Sequence, residues 1–151
     1  TEDAVRGVRF DGVERARPAP GVIETIRGAH AVLIAPSNPV VSIGPLLGVP
    51  GVREALRETR AKVAGVSPII GGKTIKGPAD RMMATLGMTP TATGDAEAYA
   101  DFLDVLVIDE EDRDLAPAVE AAGVRAVVAQ TIMRGPAEKR SLAEVTLGAV
   151  Q

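Results

Sequence analysis

The sequence predicts an α/β protein: a doubly wound, Rossmann-like parallel sheet in a single unit spanning residues 1–151. Two observations carry that expectation. Four short aliphatic runs, AVLIA at 31–35, KVAGV at 62–66, VLVI at 105–108 and RAVVA at 125–129, lack a polar face. That is the composition of strands buried on both sides, as parallel strands are. Stretches of helical spacing separate the runs, and strand–helix alternation implies helices on both faces of one sheet.

The elements follow in chain order. AVRGVRF at 4–10 alternates and predicts a strand. Pro20 suits a first helical turn, with Val22, Ile23, Ile26 and Ala29 on one stripe. After AVLIA, helical spacing covers about 42–49 and 50–60. After KVAGV, residues 67–78 read as a loop rich in Gly, Pro and Lys. Helices are expected at 78–86, stopped by Gly87, at 95–102, at 112–122, closed by Gly123, and at 136–150.

Composition removes several classes of function. The chain is 46% apolar and 25% charged, ordinary for a globular protein. Phe10, Phe102 and Tyr99 are its only aromatics and the net charge is −3, so neither base stacking nor a polyanion footprint supports a nucleic-acid partner. Lacking cysteine, the sequence offers no thiolate nucleophile or disulfide, and a cytoplasmic setting is expected. No apolar run approaches a bilayer span, so no membrane partner is expected. His30 precedes a buried strand with no partner in sequence, and no catalytic triad can be assembled around it.

Chemistry in such sheets sits beyond the carboxyl ends of the strands. Pro36-Ser37-Asn38-Pro39 places a hydroxyl and an amide there, and Ser42 can cap the following helix and leave N–H groups facing an anion. A plain capped turn explains the same residues, since Ser, Asn and Pro are turn formers. Ser67 to Pro78 holds Gly71, Gly72, Lys73 and Lys76. Gly72-Lys73-Thr74 matches the end of a Walker A loop, but Ser67 replaces the leading glycine and Gly77-Pro78 would break the helix that must follow. What remains is a glycine pair with two lysines suited to phosphate, or a solvated surface loop. Asp109-Glu110-Glu111-Asp112 can hold magnesium or simply cap a helix. Gln130 and Thr131 are possible polar liners.

The segments APSNPVVSIGPLLGVPGVREAL, VAGVSPIIGGKTIKGPADRMMATLG, YADFLDVLVIDEED and TIM resemble the 2-phospho-L-lactate transferase family, most closely its actinobacterial phosphoenolpyruvate-type members. EDAVRGVRFDGVERARPAPGVIETI extends the resemblance over nearly the whole chain. The resemblance implies a magnesium-dependent transfer in coenzyme F-420 biosynthesis. A phospholactyl or phosphoenolpyruvyl group would pass from a guanosine diphosphate conjugate to the deazaflavin Fo, releasing GMP. By position, Ser37, Asn38 and Ser42 would meet nucleotide or phosphate, and Gly71, Gly72, Lys73 and Lys76 would border the diphosphate or carboxylate. A homodimer is implied too. Family members are longer and carry a Gly-rich loop and metal-binding aspartates in an N-terminal half, so the sequence is expected to correspond to the C-terminal half. Two other readings stay open: a nucleotide-diphosphate-binding regulator without transferase activity, and a structural half-domain.

Overall fold

The structure, a computed structural model, describes residues 5–75 and 77–151. Four parallel strands, β1 (Ala31–Ile34), β2 (Lys62–Val66), β5 (Val105–Asp109) and β6 (Arg125–Ala129), form one sheet in the order β1-β2-β5-β6. Registers such as Val32 with Val63, Gly65 with Leu106 and Val107 with Val127 align the strands along their length. Between β2 and β5 lies a two-stranded antiparallel hairpin of β3 (Ile69–Ile70) and β4 (Lys73–Thr74).

The strand order steps one way, so right-handed crossovers put the connecting helices on a single face. Packing agrees. On that face Val63, Leu106 and Ile108 meet Leu56 of α3 (Val52–Glu58), Ala92, Ala96 and Tyr99 of α5 (Ala92–Tyr99), and Val119 of α6 (Ala116–Ala121). On the other face Val66 and Val107 meet Leu142 of the closing helix α7 (Pro136–Gly148). Helices therefore cover both faces, as expected from strands with no polar side. Each fully buried aliphatic side chain in these layers contributes about 1.5–3 kcal/mol. Arg53 ties α3 to α5: its guanidinium donates to both carboxylate oxygens of Asp101 (2.5 and 2.9 Å) and lies 5.1 Å from the centroid of Phe102.

Before β1 runs α1 (Val22–Gly28); between β1 and α3 come a wide helical turn, Pro39–Ile43, and α2 (Gly44–Gly48). The hairpin leads into α4 (Ala79–Thr85). A satellite core of Val40, Ile69, Ala79 and Met83 joins turn, hairpin and α4.

Several expectations are corrected here. In the predicted 4–10 strand, Ala4 lies outside the described residues and 5–10 form no strand. Alternation supplies a pattern but not a ladder partner: Val8 packs on the satellite core, and Val5 accepts a hydrogen bond from the Thr85 hydroxyl (3.1 Å). AVLIA is not buried on both faces, because β1 is an edge strand and Leu33 is 45% exposed. The helix expected at 95–102 begins three residues earlier, capped by Thr91, whose hydroxyl accepts from the Gly94 N–H (3.3 Å). The helix expected from 112 is a tighter turn, Glu110–Leu115, followed by α6, with Asp112 at φ −100° and ψ 16° marking the break.

The loop expected at 67–78 contains the hairpin, and its signal was in the sequence. Ile-Ile-Gly-Gly-Lys-Thr is a two-residue hairpin pattern, and Gly71 (φ 57°) and Gly72 (φ 74°) supply the positive angles such a turn needs.

Candidate functional site

A cleft of ≈ 410 Å³ opens at the carboxyl ends of the strands. Its base is built from strand exits: Pro36, Ser37 and Asn38 after β1, Ser67 and Pro68 after β2, Thr131 to Met133 after β6. Ile70, Thr74 and Ile75 of the hairpin region form the opposite wall.

Hydrogen bonding shows which of its polar groups are already committed. The Asn38 side-chain oxygen accepts from the N–H groups of Val40 (2.8 Å) and Val41 (3.2 Å), so Asn38 caps the turn Pro39–Ile43; the helix that Ser42 was expected to cap, α2, starts after Ile43 with no side-chain cap. Ser42 sits within the turn instead, its N–H bonded to the Asn38 carbonyl (3.0 Å). Ser67, buried, stands with its hydroxyl 2.7 Å from Asp95 Oδ2, and the Ser67 hydroxyl oxygen accepts from the Ile69 N–H (3.1 Å). The Thr131 hydroxyl (2.7 Å) and N–H (2.9 Å) both donate to Asp109 Oδ2, and the Thr74 hydroxyl donates to the Gly77 carbonyl (2.6 Å). Ser37 and Ser42 are the lining hydroxyls that make no hydrogen bond to another described side chain or backbone group.

Of the residues singled out from sequence, the structure gathers Ser37, Asn38, Ser42 and Thr131 around one cleft. Gly71, Gly72 and Lys73 are not among its lining residues, and Lys76 lies outside the described residues. The hairpin tip docks instead on the acidic segment after β5: the Gly71 N–H reaches both oxygens of Asp112 at 3.1 Å. A Cβ on Gly71 would lie 2.4 Å from Glu111 Oε1. Gly71→Ala should therefore cost about 1–2 kcal/mol, from the left-handed backbone and the displaced Glu111. A urea melt checks it; an unchanged midpoint would show the tip free of this contact. Gln130 is exposed. Sequence reasoning missed Ser67 and Asp95, since nothing local marks them as partners across 28 positions.

The acidic tip of β5 is structural in its contacts. Burial pushes the Asp109 carboxyl up, but donors from Glu111 and Thr131 outweigh it and hold it below the usual range. Burial pushes Asp112 up, against the Gly71 N–H and with the charge of Asp109. Among the described residues, no three Asp, Glu, His or Cys side chains converge to hold a metal. In this acidic segment Asp109 and Asp112 accept from backbone and threonine donors.

Fold and cleft define a class: an α/β unit with a cleft at the carboxyl edge of a parallel sheet, its described lining uncharged and hydroxyl-bearing. Residues 1–141 match the family described as 2-phospho-L-lactate transferase CofD, and this chain belongs to that family. The 2-phospho-L-lactate transferase of Methanosarcina mazei is 43% identical over 148 residues, covering 98% of this chain and 48% of that protein. The phosphoenolpyruvate transferase of Kitasatospora aureofaciens is 48% identical over 114 residues, covering 75% and 36% respectively. The chain thus spans about half the length of the relatives it matches, or less. Protein BH3568 from Bacillus halodurans shares the fold, with a TM-score of 0.59 over 87% of this chain and 47% of that one at 18% identity. No described helix is long and apolar enough to cross a membrane.

Proposed function

We propose that the chain takes part in transfer of a phospholactyl or phosphoenolpyruvyl group from a guanosine diphosphate conjugate to Fo. In that reaction an Fo hydroxyl oxygen bonds to the phosphorus next to the three-carbon acid. The bond from that phosphorus to the GMP oxygen breaks, GMP leaves, and the hydroxyl proton is released. Such chemistry rests on alignment and charge neutralisation and needs no protein nucleophile. Family membership supports the reaction class; the single observation that carries a role for this chain is the cleft joining the exits of β1, β2 and β6.

The character of that cleft favours the acceptor. Its described lining contains no Lys, Arg, Asp, Glu or His, and Pro36, Pro68, Ile70, Ile75, Ile132 and Met133 supply flat aliphatic walls. An uncharged deazaflavin ring fits such walls, while Ser37 and Ser42 offer free hydroxyls to its polar substituents. A diphosphate would be matched by cations, and the described lining contains none. Ser37, Asn38 and Ser42 accordingly move from nucleotide to acceptor in our reading. Lys73, exposed on the hairpin, remains the residue nearest in kind to a donor contact. Magnesium would supply charge neutralisation at the diphosphate, and no step here is routed through it.

A thermal-shift series with Fo, GDP and both, with and without magnesium, tests the assignment. Fo alone should raise the melting temperature by several degrees when present at about a hundredfold over its dissociation constant. Ile75→Asp, which puts a charge on the apolar wall, should abolish that shift, whereas Lys73→Ala should keep it. A shift with GDP alone favours the regulatory reading, and no shift with any ligand favours the structural one; either overturns the acceptor cleft.

A further inference from the structure

We propose that Asp95 is a positioning residue, holding the hairpin wall of the cleft in place through Ser67. Asp95 lies in the first turn of α5, fully buried among the main core residues Ala92, Ala96 and Tyr99. A carboxylate there contributes poorly to a core, and an apolar side chain of similar volume would be neutral or better for packing. What Asp95 does touch is specific: Oδ2 sits 2.7 Å from the Ser67 hydroxyl.

Ser67 is the hinge between two bodies. Its N–H continues the sheet ladder to the Val107 carbonyl (2.9 Å), while its side-chain oxygen accepts from the Ile69 N–H (3.1 Å). Ile69 is the first residue of the hairpin and lies, with no exposure, in the satellite core with Val40, Ala79 and Met83. The contact therefore joins the main core, through α5, to the element that carries Ile70, Thr74 and Ile75 on the cleft wall. The other oxygen, Oδ1, is buried and has no described partner, as are Thr93 Oγ1 and Tyr99 Oη on the same helix. A half-satisfied carboxylate costs stability. Fixing the β2 exit, which no apolar side chain can do, is the return for that cost.

The test follows amide exchange by segment in the full chain. Asp95→Ala and Ser67→Ala should each raise exchange over residues 69–75 about tenfold, the loss of one buried hydrogen bond. Residues 105–109 of β5 should not change. Asp95→Asn, which keeps the side-chain bond to Ser67, should stay within about threefold of wild type. The double variant should be no worse than the worse single, because the two act as one unit. Unchanged exchange at 69–75, or an equal rise in β5, would overturn the proposal.

The consequence for catalysis rests on the transferase reading, so it is measured separately with Fo and the guanosine diphosphate conjugate. Asp95→Ala should lose about tenfold in kcat/KM and Asp95→Asn should recover most of it. A wild type without turnover would sink the transferase reading and leave the exchange data to decide the role of Asp95.

Discussion

Folding stability should fall by on the order of 4 kcal/mol as the pH rises from about 4 to about 8, and Asp95 should be the main cause. Burial raises its pKa from the ordinary carboxylate value of 3.8 to about 7, against a smaller opposing effect of the Ser67 hydrogen bond. Between those two values the folded chain holds a proton that the unfolded chain has released. The unfolded state therefore binds fewer protons, and stability declines with rising pH through the window, levelling above about 7. Asp112, also raised by burial, adds to the same trend. Asp101, held low first by the Arg53 hydrogen bond, and Asp109, held low on balance by its donors, act oppositely and lose their contribution as the medium turns acid. Chemical denaturation at a series of pH values gives the curve. Asp95→Asn should flatten it and melt higher than wild type at pH 8; a wild type equally stable at both ends would show Asp95 ionised at no cost.

The second large effect is expected from Asp109→Ala. One carboxylate at the end of β5 holds the Thr131 N–H and hydroxyl and the Glu111 N–H. Thr131 is buried, so the substitution leaves two of its groups without a partner away from water, at about 3 kcal/mol or more in total. The denaturation midpoint should drop with an unchanged slope. The Fo-induced thermal shift should drop too, because Thr131, Ile132 and Met133 form the side of the cleft that Asp109 anchors. Asp109→Asn keeps an acceptor but places an amide where one or two donors point, and should fall between. If stability fell and the Fo shift survived intact, this edge of the cleft would be irrelevant to the ligand.

The strands were the most readable part of the chain for a physical reason. KVAGV and RAVVA coincide with β2 and β6, because an aliphatic run bounded by breakers has few alternatives to a parallel strand, although RAVVA, expected to be buried, forms the other edge of the sheet and is only partly buried. Helix starts were less legible. Asp95 resembles a helix opener by type, yet the cap is Thr91, and the shift carries Asp95 from a capping position into the core. The acidic run after β5 reads first as a cap and second as a metal site; only the positions of Thr131 and Gly71, distant in sequence, show where its oxygens go. Glycines 71 and 72 suggested phosphate, and their positive φ angles turn a hairpin that leans on Glu111.

By itself the sequence determined the α/β class, the four sheet strands, and the resemblance that family membership bears out. Local composition suffices for these, since burial and turn chemistry act over a few neighbouring residues. Tertiary structure alone decided which polar groups remain available. Asn38 spends its amide oxygen on its own turn, Thr131 spends its hydroxyl on Asp109, and Ser67 meets a buried carboxylate 28 residues away. A hydrogen bond uses up a donor or acceptor only when the fold brings its partner near, and that pairing is not written in the spacing of either residue.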